Sequence, residues 1–150
     1  MLEQKIEQDI KTAMLGGDSL RVSTLRGLKS VLLNVKVATG KRDTGLSDEE
    51  VLPLFSTEAK KRQESADMYV QGGDQARADK ELAEKAIIEA YLPAQLAEAD
   101  VATIVDQVIH ETGAQDSSKL GQVIAGVRAK TAGTADGALI ARLVKEKLNA

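Results

Sequence analysis

The 150 residues contain no cysteine, so this chain cannot build a disulfide, a thiolate zinc site, an iron–sulfur cluster or a cysteine nucleophile. Such usage fits a reducing compartment. Tryptophan is absent as well, and Phe55, Tyr69 and Tyr91 are the whole aromatic set. The core must therefore be aliphatic, and a base-stacking platform for single-stranded nucleic acid lacks the rings it needs. His110 is the sole histidine, and neither Glu-x-x-His nor His-Glu-x-x-His occurs, so no histidine-based metal site is expected. No apolar run approaches the roughly 20 residues that span a bilayer. The N-terminus alternates charged and apolar residues rather than forming a signal peptide, which makes the cytoplasm the expected address. With no Gly-x-x-x-x-Gly-Lys-Ser/Thr loop and no strand-borne Gly-x-Gly-x-x-Gly, nucleotide binding has no support and no cofactor is expected.

What remains is a helix-forming mixture of Ala, Leu, Val, Ile, Lys, Glu, Gln and Arg, enough for one ordinary core or for two small helical units. Leu2, Ile6, Ile10, Ala13 and Met14 recur at helical spacing until Gly16-Gly17. Asp18 is a good N-cap for a second helix carrying Leu25, Leu28, Leu32 and Val35 and ending at Gly40. Ser47-Asp48-Glu49-Glu50 reads as a capping box that starts a third helix, with a kink expected at Pro53 and a stop at Gly72-Gly73. Asp74 caps a fourth, ended by Leu92-Pro93. Beyond Pro93, Val101, Ile104, Val105, Val108 and Ile109 form a clean stripe that stops at Gly113. Leu120, Val123, Ile124 and Val127 mark a sixth helix, and Leu139, Ile140, Leu143, Val144 and Leu148 a seventh. The pattern predicts an all-α chain: an N-terminal bundle of about four helices over 1–92, then a three-helix unit over 93–150.

The net charge of −3 hides an asymmetry. Residues 117–150 hold Lys119, Arg128, Lys130, Arg142, Lys145 and Lys147 against Asp136 and Glu146, a local +4, which leaves −7 on the rest. A second basic stretch, 20–42, has Arg21, Arg26, Lys29, Lys36, Lys41 and Arg42 and no acid. Segregated charge of this kind suits a polyanion, while solvated helix faces are the plainer alternative.

Several runs, taken in order, have a recognisable character. Leu25-Arg26, Lys60-Lys61-Arg62-Gln63-Glu64-Ser65, Glu89-Ala90-Tyr91-Leu92-Pro93-Ala94-Gln95-Leu96 and Gly113-Ala114 resemble the YqeY family along nearly the whole chain. Downstream, Leu120-Gly121-Gln122-Val123-Ile124 followed by Ala132-Gly133-Thr134-Ala135-Asp136-Gly137 resembles the tail of GatB, the subunit that helps present aminoacyl-tRNA for amidation. Asp136-Gly137 stands where that tail usually reads Asn-Pro, and Ala97 where many relatives place Ser or Thr before the fifth helix. The resemblance implies an all-α protein with a GatB-tail-like C-terminal domain. It also implies a link to carbon–nitrogen ligase chemistry with glutamine as amido donor, exercised as an accessory to amidotransferases. No catalytic residue is assigned.

The expected partner is tRNA or a tRNA-handling protein complex, met by Lys119, Arg128, Lys130 and Arg142 as phosphate contacts. Gly121 and Gly133 would let a sugar-phosphate backbone come close. Gly121 and Gly126 each cost up to ~1 kcal/mol inside a helix relative to alanine, so close packing of another helix is the competing explanation for both. Asp136 is the expected N-cap of the last helix. His110 lies four residues after Asp106, which suits a surface Asp–His pair. Lys61, four residues before Ser65, invites a Ser–Lys nucleophile, but nothing marks an oxyanion hole, and interhelical hydrogen bonds explain that run more simply. The alternative function is a helical protein-interaction module in which the cations only solubilise.

Overall fold

A computed structural model describes residues 1–149 as seven α-helices and one turn of 3₁₀ helix, Ser117–Lys119, with no strand among the described residues. The helices are α1 (Leu2–Leu15), α2 (Ser19–Thr39), α3 (Asp48–Gln71), α4 (Gln75–Glu89), α5 (Glu98–Thr112), α6 (Leu120–Thr131) and α7 (Gly137–Lys147). The all-α expectation holds. Internal contacts divide the chain into two compact units, Met1–Leu92 and the segment from Pro93 onward.

Helix boundaries in the first unit follow local chemistry. The side chains of Asp18 and Asp74 accept the N–H groups of Arg21 and Arg77, each at 3.1 Å. Ser47 and Glu50 form the reciprocal capping box at the start of α3, which continues through Pro53. The core gathers Ile6 and Ile10 from α1, Leu25, Leu28 and Leu32 from α2, Val51 and Phe55 from α3, and Ile88 from α4. Glu3 then stitches α1 to the α2–α3 connection. Its Oε1 accepts the Leu46 N–H at 2.7 Å while Oε2 meets Lys36 Nζ at 2.9 Å. Most of the basic stretch 20–42 is paired in the same manner, Lys29 with Glu7, Lys41 with Glu50 and Arg21 with Asp18.

Tyr91 closes this unit. Its ring meets Phe55 edge-on, 5.9 Å between centroids at 69°, and its hydroxyl donates to the Asp9 carboxylate. Lys5 Nζ sits 5.5 Å from the ring centroid. Burial would raise the Asp9 carboxyl, but hydrogen bonds from Tyr91 and Lys5 outweigh it and hold it below the usual range. The Tyr91 phenol is pushed up, first by burial and then by its hydrogen bond to Asp9 and the Asp9 charge.

The second unit packs Val101, Val105 and Val108 of α5 against Val123 and Val127 of α6 and Ile140, Leu143 and Val144 of α7. Its two helical glycines differ. A Cβ at Gly126 would stand 2.7 Å from Val108 Cγ1, so this glycine permits the α5–α6 approach. A Cβ at Gly121 would meet nothing within 4 Å, so helix packing does not explain that one. Ala97 caps α5 without a side-chain hydrogen bond, as its methyl dictates.

Three outcomes are expected. Gly126→Ala should destabilise the second unit by about 1–2 kcal/mol, since the buried, β-branched Val108 has little rotamer freedom to yield. Gly121→Ala should instead stabilise it by up to ~1 kcal/mol, and urea denaturation followed by helical circular dichroism separates the signs. Asp9 has a depressed pKa in the fold, so its contribution is complete above about pH 4 and is lost as pH falls through its lower folded value. Asp9→Asn should therefore cost about 1–2 kcal/mol at neutral pH, and the gap from wild type should close on acidification below about pH 4. A gap that persists in strong acid would contradict the assignment.

Candidate nucleic-acid interface

The C-terminal cations are distributed by three helices and their connections. Lys119 ends the 3₁₀ turn and N-caps α6, and its ammonium donates to the Thr112 carbonyl at 2.9 Å. Arg128 and Lys130 fall in the last turn of α6. Arg142 lies midway along α7. Lys119 and Lys130 are three helical turns apart, about 16 Å at 1.5 Å per residue. Lys119 and Lys130 thus mark opposite ends of α6.

Acids from α5, which precedes the basic segment in sequence, pair with three of the six cations. Lys130 Nζ meets Glu111 at 2.7 Å and Lys147 Nζ meets Asp106 at 2.6 Å. Arg142 bridges Glu98 and Glu146, each at 3.0 Å, and the bond to Glu98, then that to Glu146, raises its pKa. The surface Asp–His pair is not formed in this arrangement, because Asp106 is engaged by Lys147 rather than by His110. Asp116 is held below the usual carboxylate range by the side-chain and backbone hydrogen bonds of Ser118.

The α6–α7 turn is the most constrained part of the unit. Ala132 has φ of +46° and Gly133 +83°, so two successive residues take the left-handed region. For alanine this costs about 1–2 kcal/mol, which the surrounding bonds must offset. Thr134 N–H donates to the Thr131 carbonyl at 2.9 Å, and the Thr134 carbonyl accepts the Leu96 N–H at 2.7 Å. Gln95 Nε2 donates to the Gly133 carbonyl at 3.3 Å. Asp136 caps α7 through the Ala138 N–H, as its position in the sequence implied. A Cβ at Gly137 would lie 3.1 Å from Arg128 Nη2, so the guanidinium rests against the first residue of α7. The space around Gly133 is open.

The Tyr-Leu-Pro-x-Gln-Leu run thus serves both units separately. Tyr91 and Leu92 pack on the first core, while Gln95 and Leu96 hold the α6–α7 turn of the second. The Lys-Lys-Arg-Gln-Glu-Ser run ties α3 to α4: Arg62 Nε lies 2.8 Å from Glu84, with Glu58 and Glu81 beside it, and Lys85 Nζ donates to Gln63 at 2.9 Å. Lys61 is held on Glu58 at 3.0 Å rather than on Ser65, in keeping with the interhelical reading of that run. The part played by Glu3 was not read from sequence, since a single acid in an N-terminal turn carries no long-range signal. Among the described residues no group of three or more His, Asp or Glu could hold a metal ion, and no helix is long and apolar enough to cross a membrane.

Comparison with known proteins gives the kinship. Altered inheritance of mitochondria protein 41, mitochondrial, of Eremothecium gossypii is 31% identical over 109 residues, covering 71% of this chain and 58% of that protein. The protein of the same name from Kluyveromyces lactis is 30% identical over 130 residues, covering 84% and 69%. The chain therefore spans less than two thirds of the first relative's length. The sequence profile of the Yqey-like proteins matches residues 3–148, and with that span the chain belongs to the YqeY family.

Proposed function

We propose that this protein is an accessory factor in tRNA-dependent amidation that binds tRNA, or a complex handling it, through its C-terminal unit. The observation that carries this reading is the pairing of a cation with an unobstructed glycine at each end of α6: Lys119 beside Gly121, and Lys130 beside Gly133. A nucleic-acid backbone needs close approach and positive charge together, and such contacts read shape and phosphate rather than bases. The likeness of the Leu120–Gly137 run to the GatB tail points the same way. The carboxylates on Lys130 and Arg142 do not forbid it. Exposed ion pairs are worth about 0–1 kcal/mol each, so a phosphate can replace a carboxylate at small cost. Arg128, stationed at the start of α7, is a third contact.

A second reading is favoured by a different observation. The conspicuously exposed large apolar side chains, among them Met14, Leu15, Leu33, Val37, Met68 and Val70, all belong to the first unit. A protein partner docking there would use apolar contacts and tolerate salt.

The two readings part in one titration. Binding of unfractionated tRNA, measured by fluorescence anisotropy, should weaken steeply with salt, and Ala at Lys119, Arg128, Lys130 and Arg142 together should lower the log–log salt slope by roughly 3–4. Gly121→Ala, expected to be stabilising, should nonetheless weaken binding. No binding at low salt, or affinity unchanged by the fourfold substitution, would falsify the RNA reading and leave the salt-tolerant one.

A further inference from the structure

The second unit divides its charge by helix. α5 carries Glu98, Asp100, Asp106 and Glu111 and neither lysine nor arginine, whereas α6 and α7 together carry Arg128, Lys130, Arg142, Lys145 and Lys147 against Glu146 alone. Three of the α5 acids reach cations on those two helices. Glu98 meets Arg142 at 3.0 Å, Asp106 meets Lys147 at 2.6 Å and Glu111 meets Lys130 at 2.7 Å. None of these is a pair along one helix, where sequence spacing alone would bring the charges together.

All six of these residues are exposed, so a ligand can reach both members of every pair. Exposed pairs contribute little to holding helices together. The apolar contacts of Val101, Val105 and Val108 do that here. What the pairs fix is the occupancy of the cations. A carboxylate offers an ammonium or guanidinium two anionic oxygens, the same kind of acceptor that a phosphate offers. Lys130 and Arg142 therefore already hold, in the free protein, an anion of the kind the RNA reading assigns to them.

We propose, resting on the RNA reading above, that α5 is a built-in competitor for the RNA site. Glu98, Asp106 and Glu111 occupy Arg142, Lys147 and Lys130 at the positions that phosphate oxygens take when RNA binds, and so limit how tightly the unit holds it. Lys147 thereby becomes a fifth phosphate contact beside Lys119, Arg128, Lys130 and Arg142. Binding exchanges one acceptor for another at each shared cation. The displaced carboxylates are left facing the RNA backbone, where like charges repel, and they return to the cations on release. Arg142 keeps its second partner, Glu146, so the effect is clearest at Lys130 and Lys147.

Fluorescence anisotropy with labelled unfractionated tRNA and the full chain at low salt separates pairwise competition from a general loss of negative charge. Asp106→Asn and Glu111→Gln should each tighten binding about two- to fivefold, the range that an exposed ion pair sets. Asp100→Asn removes the same charge from the same helix, but from an exposed acid outside the three pairs, and should tighten binding by less. Lys147→Ala alone should weaken binding. In its presence the gain from Asp106→Asn should fall to that of Asp100→Asn, and Lys130→Ala should do the same to the gain from Glu111→Gln, because no cation is then left to release. Helical circular dichroism should be unchanged throughout, which checks the fold. Equal gains from all three α5 substitutions, or gains that survive in full without the partner lysine, overturn the competitor role and leave the RNA reading standing. If neither the wild type nor the Asp106→Asn, Glu111→Gln double variant binds tRNA at low salt, both fall.

Discussion

The hydrogen bond from Tyr91 to Asp9, made while the Tyr91 ring meets Phe55, is the contact on which the first unit depends. With three aromatic residues in the chain, there is no second large ring pair to take its place. One side chain at the end of α4 thereby locks α1 and α3 together: the ring contact adds roughly 0.5–1.5 kcal/mol beyond burial, and the hydroxyl anchors a partly buried carboxylate. Lys5 over the ring balances that carboxylate, so the site is neutral as a whole. Two residues further on, Pro93 opens the second unit, and the next few residues serve that unit.

Charge in the second unit is arranged differently. The last 34 residues are strongly basic, yet α5 brings Glu98, Asp106 and Glu111 onto Arg142, Lys147 and Lys130. The field that the segment would project alone is therefore much reduced. These pairs are exposed and individually weak, so they tune the surface rather than close it. In the RNA reading proposed above, a phosphate would meet least competition at Lys119, beside the open Gly121, and at Arg128, at the head of α7.

Much of the fold was legible because the signals are local. Aliphatic periodicity marked each helix, and Asp18, Ser47, Asp74 and Asp136 marked starts by the hydrogen bonds they make to residues two or three positions ahead. The single turn at Ser117–Lys119 went unread, being too short to show a period. The two helical glycines looked alike in sequence, but the position of Val108 distinguishes them. Close helix approach explains Gly126 and leaves Gly121 without a packing reason. Likewise, Asp106 stood near His110 in sequence, whereas its partner is Lys147, 41 residues away.

The sequence by itself determined the helices, their caps, the aliphatic core and the family, since each depends on neighbours within a turn or on a run of residues read in order. Only the tertiary structure decided which charges remain available. Ion pairs such as Lys36 with Glu3, or Lys130 with Glu111, join residues far apart in sequence, and no periodicity encodes them. The same holds for the left-handed alanine at 132, whose conformation is held by Gln95 and Leu96 bonding across to the turn, bonds that exist only once α5, α6 and α7 have packed.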